Sequence, residues 1–269
     1  MEKQPLVAII IVTWNNQDEI RDCLDSIKRS NYEHHKVVIV DNASKDSTTE
    51  IIDQEYSEFD LIKNEKNSHF TGGNNIGFKY AIEKYNPDFL MKLNPDTIID
   101  ADVIHKLVQI SQKDHLVGAV GPKIKFKGGK NDGKINSASL FYDNFHSAYD
   151  LGFGEVDQGQ FNETKEVFAV TGTCILFRTE VIKKTGGFWE ILKMYTDEVE
   201  LLIRVHKLGW KVIYTGEVTV WHKYMKSTNQ EHETNYDKLK MRNWLLIALR
   251  HYSIRDRLRM IRDYLKFIF

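Results

Sequence analysis

Buried strands alternate with amphipathic helices along the first hundred residues. An unbroken apolar run at residues 7–12 predicts a strand, and Ile20, Cys23, Leu24 and Ile27 then recur at the spacing of a helix with one apolar face. Further along, the pattern predicts a buried strand, an edge strand, a helix and another buried strand at residues 37–40, 61–62, 73–86 and 89–93. Because parallel strands need helical crossovers, this order predicts an α/β fold with a doubly wound, mostly parallel central sheet and helices on both faces.

The second half of the chain is more mixed. Its strands are predicted at residues 117–120, 167–177, 210–214 and 217–221. From about Asn235 the sequence changes character and predicts a helical extension. We therefore divide the chain into one domain and a tail, at residues 1–234, with halves at about 1–100 and 101–234, and at residues 235–269.

The predicted tail is basic and amphipathic. Between residues 238 and 266 it carries nine Lys and Arg residues against two Asp residues, with apolar residues between them at roughly helical spacing. Such a helix suits the surface of an anionic membrane. It suits equally a solvated basic face on helices that pack against the core, and the sequence leaves both interpretations open.

Composition and charge exclude several classes of protein. A chain of 269 residues with 42% hydrophobic content can bury a large core, and the balance of 37 basic and 38 acidic residues argues against a nucleic-acid-binding protein. Cys23 and Cys174 are too few for a disulfide framework, and the longest apolar stretch of the tail is too short to cross a bilayer. Since no leader pattern precedes the first strand, we expect a cytoplasmic protein, at most peripheral on the inner face of the membrane.

Polar residues follow three of the predicted strands directly. Thr13 and Asn15 follow the first strand, Asp41 follows the second, and Asn94 and Asp96 follow the last strand of the first half. The carboxyl ends of parallel strands meet at one edge of a sheet, where open α/β folds bind their ligands. The sequence therefore predicts a small-molecule site at this edge.

Asp96 and His222 are the candidate metal ligands. A carboxylate suits Mg²⁺ or Mn²⁺ that already carries a diphosphate, since these ions keep few protein ligands. Asn94-Pro95-Asp96 is also a common turn sequence, in which Asn and Asp side chains hydrogen bond locally. His222 follows a predicted strand, but a lone histidine is more often a hydrogen-bonded member of the fold. Sequence alone leaves both alternatives open.

Asp41 and the run Gly72-Gly73-Asn74-Asn75-Ile76-Gly77 are candidate nucleotide contacts. Asp41 either begins a turn or accepts the imide N–H of a uracil or thymine ring. The glycine run lies where a loop is predicted to enter a helix, so its backbone N–H groups can approach a ligand closely. Its spacing fits neither a Walker loop nor a dinucleotide-binding fingerprint.

The acidic run Asp197-Glu198-Val199-Glu200 begins a predicted helix. Negative charge in the first turn is favoured by the helix dipole, which is a complete structural explanation. The functional alternative is that one of these carboxylates faces the crevice at the sheet edge and removes a proton from an attacking hydroxyl group.

In this order, the motifs resemble those of glycosyltransferase family 2, whose members have a GT-A fold, and especially of the branch that contains bacterial rhamnosyltransferases. The resemblance covers residues 7 to about 228. The matching segments are Ile10-Ile11-Val12-Thr13-Trp14-Asn15-Asn16, Val40-Asp41-Asn42-Ala43-Ser44, Asn67, Phe70-Thr71-Gly72-Gly73-Asn74-Asn75-Ile76-Gly77, Leu93-Asn94-Pro95-Asp96-Thr97, Gly172-Thr173, Gly186-Gly187-Phe188, residues 195–204 and Val220-Trp221-His222-Lys223.

The resemblance implies a role for each matching residue. It implies metal ligands at Asp96 and His222. The signature of the helix in many relatives is Glu-Asp-x-Asp, whose second acid is the catalytic base, and Glu198 takes that position here with Asp197 before it. The implied nucleotide-sugar contacts are Thr13, Asn15, Asp41, Asn67, Gly73, Asn74, Asn75 and Asn94.

The resemblance thus implies an inverting glycosyltransferase of cell-surface polysaccharide synthesis that depends on Mn²⁺ or Mg²⁺. Such an enzyme would move a sugar, with rhamnose favoured, from a dTDP- or UDP-linked donor to a hydroxyl group of a glycan or lipid-linked glycan. The alternative is a catalytically idle protein of the same fold that binds a nucleotide sugar or a glycan. A nucleotidyltransferase would need a basic, glycine-rich loop after the first strand, and Trp14-Asn15-Asn16 does not supply it.

Overall fold

A ten-stranded mixed β-sheet forms the centre of the protein. The computed structural model describes residues 4–142, 148–223 and 230–268. The strands are β1 (Val7–Thr13), β2 (His35–Asp41), β3 (Asp60–Lys63), β4 (Phe89–Leu93), β5 (Thr97–Ile99), β6 (Val117–Phe126), β7 (Ile135–Ser137), β8 (Leu140–Tyr142), β9 (Ala148–Asp150), β10 (Thr164–Glu166), β11 (Cys174–Arg178) and β12 (Lys211–His222). The helices are α1 (Ile20–Lys28), α2 (Thr48–Glu55), α3 (His69–Tyr85), α4 (Val103–Gln112), α5 (Thr179–Thr185), α6 (Asp197–Lys207), α7 (Gln230–His251) and α8 (Ile254–Ile268).

The strand order confirms the predicted α/β fold. Strands β3, β2, β1 and β4 are parallel neighbours in that order, and β6 runs parallel to β12. The antiparallel β11 joins these two parallel groups by pairing with both β4 and β6. Strands β5 and β10 pair antiparallel with β12, while β8 and β9 form a separate two-stranded sheet.

Helices cover both faces of the sheet, as the apolar runs predict. Alternate side chains of a strand point to opposite faces. Accordingly, Val7, Ile9 and Ile11 of β1 pack in one core cluster with apolar side chains of α1 and α4, whereas Ala8 and Ile10 pack in a second cluster with those of α3, α5 and α6. Both clusters are fully buried along β1, which fixes its position at the centre of the fold.

Three element boundaries differ from the predictions. The strand predicted at residues 167–177 is wrong over its first part, because β11 begins only at Cys174. Helix α3 begins at His69, because the side chain of Asn67 accepts the His69 N–H at 2.7 Å, and the run from Gly72 to Gly77 therefore lies within the helix. The strands predicted at residues 210–214 and 217–221 are the single strand β12, which continues through a register shift around Gly216.

The first tail helix packs against the core. In α7, Asn243, Trp244, Ile247 and Ala248 are all at most 1% exposed. The boundary that we predict at residue 234 falls inside α7, and the division into two units stays a prediction. Within the described ranges, every helix is too short or too polar to span a membrane.

Candidate active site

A cavity of about 330 Å³ opens at the edge of the sheet where β4 ends and β11 begins. Five of the residues singled out from the sequence line it, namely Asn94, Asp96, Asp197, Glu198 and His222. The other lining residues are Phe70, Lys92, Leu140, Ala148, Asp150, Thr171, Gly172, Thr173, Met194, Tyr195, Thr196, Val199 and Lys240.

Strand pairing brings Asp96 and His222 together. The last residue of β12, His222, lies opposite Thr97 of β5, so its imidazole reaches the neighbouring carboxylate, with Nε2 3.1 Å from Asp96 Oδ2. The other ring nitrogen, Nδ1, lies 2.9 Å from Asn136 Oδ1, which orients the ring. Burial acts to raise the pKa of Asp96, but the charge and hydrogen bond of His222 outweigh it and the pKa is lowered. Asp96 is therefore a carboxylate at neutral pH.

One carboxylate oxygen of Asp96 has no hydrogen-bond partner among the described residues. This oxygen, Oδ1, is buried. A buried carboxylate oxygen without a donor is costly unless a cation or ligand completes it. The described residues contain no group of three or more His, Cys, Asp or Glu that could hold a metal ion. The pair of Asp96 and His222 thus fits a cation whose remaining ligands are phosphate oxygens and water.

Asp197 and Glu198 reach the cavity from the first turn of α6. The turn before this helix is strained, because Lys193, Tyr195 and Thr196 all have positive φ angles of 65°, 66° and 59°. Asn243 of α7 stabilises the turn, since its Nδ2 lies within 3.0 Å of the carbonyl oxygens of Leu192, Met194 and Tyr195. Strained backbone held by its surroundings is typical of functional sites.

The charges of the cavity are coupled through Lys92. Burial lowers the pKa of this lysine to about 8, against the opposing effect of Asp197 and Glu198. Its Nζ donates to Asn94 Oδ1 at 2.6 Å and lies 4.2 Å from the centre of the Phe70 ring. The positive charge of Lys92 also acts on Asp96. Lys92 therefore interacts both with the pair of Asp96 and His222, which we call the metal-type pair, and with the two acids of α6.

Glu198 has the properties of a general base. Burial, followed by the negative charge of Asp197, raises its pKa to about 8, and Asp150 contributes in the same direction. The pKa of Asp197 is raised to about 6, mainly by burial, and Lys92 opposes the shift. A carboxylate with a raised pKa takes up a proton more readily than an ordinary one. The arrangement can therefore deprotonate a hydroxyl group that is bound in the cavity.

A second polar cluster lies beyond the cavity, at the ends of β1 and β2. Thr13 and Asp41 face each other in the parallel register, and Thr13 Oγ1 donates to Asp41 Oδ1 at 3.0 Å. The backbone N–H of Ser44 donates to Asp41 Oδ2 at 3.0 Å. Asn15 joins the cluster because its backbone N–H donates to Ser44 Oγ at 2.9 Å. The cluster and the cavity lie on the same edge of the sheet, where the sequence predicts the ligand site.

The model of the family "Glycosyl transferase family 2" matches residues 8–186 of the chain, which is more than half its length. The chain belongs to this family. The O-antigen biosynthesis protein RfbC of Myxococcus xanthus is 27% identical over 226 residues, covering 81% of the chain and 17% of RfbC. The low-salt glycan biosynthesis hexosyltransferase Agl10 of Haloferax volcanii is 24% identical, covering 75% of the chain and 62% of Agl10. The chain thus spans less than two thirds of each of these relatives.

Solved structures show the same fold at low sequence identity. The Staphylococcus aureus protein TarS, residues 1–349 in complex with UDP-GlcNAc, superposes with a TM-score of 0.64 at 17% identity, covering 97% of the chain and 71% of that structure. GalNAc-T7 with UDP, GalNAc and Mn²⁺ superposes with a TM-score of 0.66 at 16% identity, covering 82% of the chain and 44% of that structure. This member of glycosyl transferase family 2 therefore has the GT-A fold, as its motifs imply.

The glycine and asparagine run of this family member lies within a helix and not in the predicted loop. Its backbone N–H groups belong to α3, so they are not the exposed loop donors that the sequence suggests. A Cβ at Gly73 would lie 2.7 Å from Val12 Cγ1, so this glycine permits close packing of helix on strand. Asn75 links α3 to the segment between α5 and α6, because its Nδ2 donates to Phe188 O at 2.9 Å and to Glu190 Oε1 at 3.0 Å.

Of the predicted nucleotide-sugar contacts, Asn94 lines the cavity and the other seven do not. Asn67 lies two residues before α3, and Asn74 donates to Phe70 O at 2.8 Å while its buried Oδ1 has no partner among the described residues. Their contacts with a ligand stay predictions.

Several cavity residues were missed in the sequence. A lysine inside the apolar run of β4 is a signal that could have identified Lys92, since lysines are almost never fully buried without a partner. Asp150 of β9 has a buried Oδ1 without a partner among the described residues, and burial raises its pKa. It lies in a segment without a recognisable motif, so no comparable signal marks it.

Proposed function

We propose that this protein is an inverting, metal-dependent glycosyltransferase that uses a nucleoside-diphosphate sugar. The observation that carries the proposal is one cavity lined by a metal-type pair, Asp96 and His222, and by a base with a raised pKa, Glu198. We assign residues 1–100 to nucleotide binding, residues 101–234 to the acceptor and catalysis, and residues 235–269 to a basic amphipathic helical tail.

The metal is proposed to be Mn²⁺ or Mg²⁺, held by Asp96 and His222. GalNAc-T7 was crystallised with UDP, GalNAc and Mn²⁺, which supports a divalent cation in a protein of this fold. When bound, such a cation offsets the negative charge that grows on a departing diphosphate. The side chain of Lys92, which interacts with Asp96, Asp197 and Glu198, contributes a second positive charge.

Transfer is proposed to occur in one displacement. Glu198 takes the proton of the acceptor hydroxyl, whose oxygen forms a bond to the anomeric carbon of the donor. The bond from that carbon to the diphosphate oxygen breaks, its electron pair leaves with the diphosphate, and the configuration inverts. Asp197, which has a buried Oδ2 without a partner among the described residues, is suited to accept a hydrogen bond from a sugar hydroxyl.

The proposed donor specificity rests on the polar cluster at the ends of β1 and β2 and on the resemblance to rhamnosyltransferases. The cluster of Thr13, Asn15 and Asp41 is proposed to bind a uracil or thymine ring, and Asn67, Gly73, Asn74, Asn75 and Asn94 to support the donor. TarS was crystallised with UDP-GlcNAc, which supports a UDP-linked donor, whereas the rhamnosyltransferase-like motifs favour dTDP-rhamnose. The proposed acceptor is a glycan or lipid-linked glycan at the inner face of the cell membrane.

Donor turnover by the Glu198→Gln variant tests the role of the base. The purified chain and the variant are compared for release of nucleoside diphosphate from a panel of UDP- and dTDP-sugars with Mn²⁺. We expect one donor to be turned over by the chain and turnover by the variant to fall about 10²- to 10⁴-fold, with donor affinity unchanged. Equal turnover by both proteins would remove Glu198 from the role of base. Binding of a donor without any turnover would favour the idle binding protein.

A further inference from the structure

Among the side chains of the two C-terminal helices that the structure describes, five large apolar ones are exposed. Met241, Leu245 and Leu249 of α7 are 41%, 38% and 61% exposed, and Ile254 and Leu258 of α8 are 74% and 62% exposed. We call these five residues the tail stripe. On each helix its members are four positions apart, so they share one side of that helix.

The tail stripe is not needed to attach the tail to the core. An adjoining side of α7 carries the buried residues Trp244, Ile247 and Ala248, and Met260 of α8 is 2% exposed. The junction of the two helices is held by Arg257, whose Nε donates to Tyr252 O at 3.1 Å and whose Nη2 donates to Leu249 O at 2.8 Å. The stripe is therefore a separate surface, additional to the packed side.

Basic residues border the tail stripe. Lys238 of α7 and Arg255 and Arg259 of α8 are exposed, and residues 238–266 carry nine basic and two acidic residues, a net charge of +7. One of the two acids, Asp256, accepts from the Ser253 hydroxyl at 2.7 Å and lies 3.7 Å from Arg259. Arginine and lysine stems can cover apolar surface while their charged ends reach anionic headgroups.

We propose that the tail stripe docks this protein on the surface of an anionic lipid bilayer. Exposed apolar residues between basic side chains are typical of helices that lie in the membrane interface. A second copy docked on the same stripe would bring two tails of charge +7 together, which electrostatic repulsion opposes. Anionic headgroups instead attract these charges.

Docking through α7 would also position the cavity. Lys240 of the same helix lines the cavity, and Asn243 holds the turn before α6. A bilayer that binds the tail stripe would therefore lie across α7 from Lys240, about one helix diameter, or about 10–12 Å, from that part of the cavity wall. Docking itself does not depend on the proposed transfer reaction, and its test needs neither donor nor acceptor.

Sedimentation of the full chain with lipid vesicles tests the proposal. We expect the protein to bind vesicles of phosphatidylglycerol and phosphatidylcholine, to bind phosphatidylcholine alone far less, and to be released by high salt. Replacing Leu249 and Leu258 together by Ser should weaken binding at least about tenfold. Replacing Arg255 and Arg259 by Gln should weaken it about fivefold for each charge removed.

Matched variants and a size measurement make the test decisive. Leu208→Ser removes a 49%-exposed leucine elsewhere, and Lys79→Gln removes an exposed charge of α3, so both should bind vesicles as the unchanged protein does. Point variants are preferred to deletion of the tail, because α7 forms part of the cavity wall. Binding of the double Leu→Ser variant at unchanged strength would overturn the proposal. The proposal would also be overturned if the unchanged chain did not bind anionic vesicles and instead formed a dimer, detected by its size in solution, that the double Leu→Ser variant dissociates.

Discussion

At the scale of single residues, the proposed transfer reaction depends on the protonation state of Glu198, which the cavity controls. Its pKa is raised by burial, by Asp197 and by Asp150, and is lowered by Lys92. Since the carboxylate must be deprotonated to act as a base, turnover should rise as the pH passes through this raised pKa. The two neighbours of opposite charge then give predictions of opposite sign.

Replacing Asp150 by Asn should move the acidic limb of the pH profile to lower pH. The substitution removes a negative charge that holds the proton on Glu198, while the side chain keeps its size. The measurement is kcat/KM for donor turnover against pH at saturating Mn²⁺. An unchanged limb would mean that Asp150 does not act on the base.

Replacing Lys92 by Met should move the same limb to higher pH. Loss of the positive charge favours the protonated forms of both Asp197 and Glu198, whose pKa values Lys92 lowers. The variant also loses the hydrogen bond to Asn94, so a lower maximal rate is expected as well. A shift in the same direction as that of the Asp150 variant would contradict the charge arrangement that we describe.

At the scale of elements, α7 stabilises the turn that presents Asp197 and Glu198. Asn243→Ala removes the donor to three carbonyl oxygens at residues 192, 194 and 195, and it leaves a strained turn without that support. We expect turnover to fall about tenfold or more, because small displacements of a catalytic group are costly. Affinity for UDP, measured by titration calorimetry with Mn²⁺, should stay the same, and a parallel loss of UDP affinity would argue against a role confined to the turn.

Glu200 links α6 to the end of α7 and should make stability depend on pH. This fully buried carboxylate lies 2.7 Å from Arg204, 2.9 Å from His251 and 3.1 Å from Arg250. Burial acts to raise its pKa, but the hydrogen bonds from His251 and Arg204 outweigh burial and the pKa is lowered. The stabilisation is therefore present above the unfolded pKa, about 4.5, and is lost as the pH falls through the lower folded value.

Glu200→Gln should accordingly lower the free energy of unfolding by about 3–5 kcal/mol at pH 7, since it leaves Arg204, His251 and the partly exposed Arg250 without their anionic partner. Urea unfolding at a series of pH values measures the effect. The difference between the two proteins should shrink below the unfolded pKa. A difference that is constant with pH would assign the loss to packing instead of charge.

At the scale of the whole molecule, the sequence predicts the α/β fold well, because unbroken apolar runs mark strands buried on both faces and apolar stripes of period 3.6 mark the buried faces of helices. It predicts Asp96, Glu198 and His222 because they follow or begin elements that meet at one sheet edge. The prediction of a ligand-binding loop at Gly72–Gly77 is wrong. A glycine allows close approach either to a ligand or to a neighbouring strand, and Gly73 packs against Val12 of β1. Asp150 and Asn243 could not be predicted, because their roles come from contacts with distant segments.

The most direct test of the whole account is calorimetric titration of UDP with and without Mn²⁺ into the chain and its Asp96→Ala and Glu198→Gln variants. We propose that one cavity joins a metal and diphosphate end to a base end. This predicts Mn²⁺-dependent binding of UDP by the chain and by Glu198→Gln, and its loss in Asp96→Ala. If Asp96→Ala binds UDP with Mn²⁺ as tightly as the unchanged chain does, that claim is wrong.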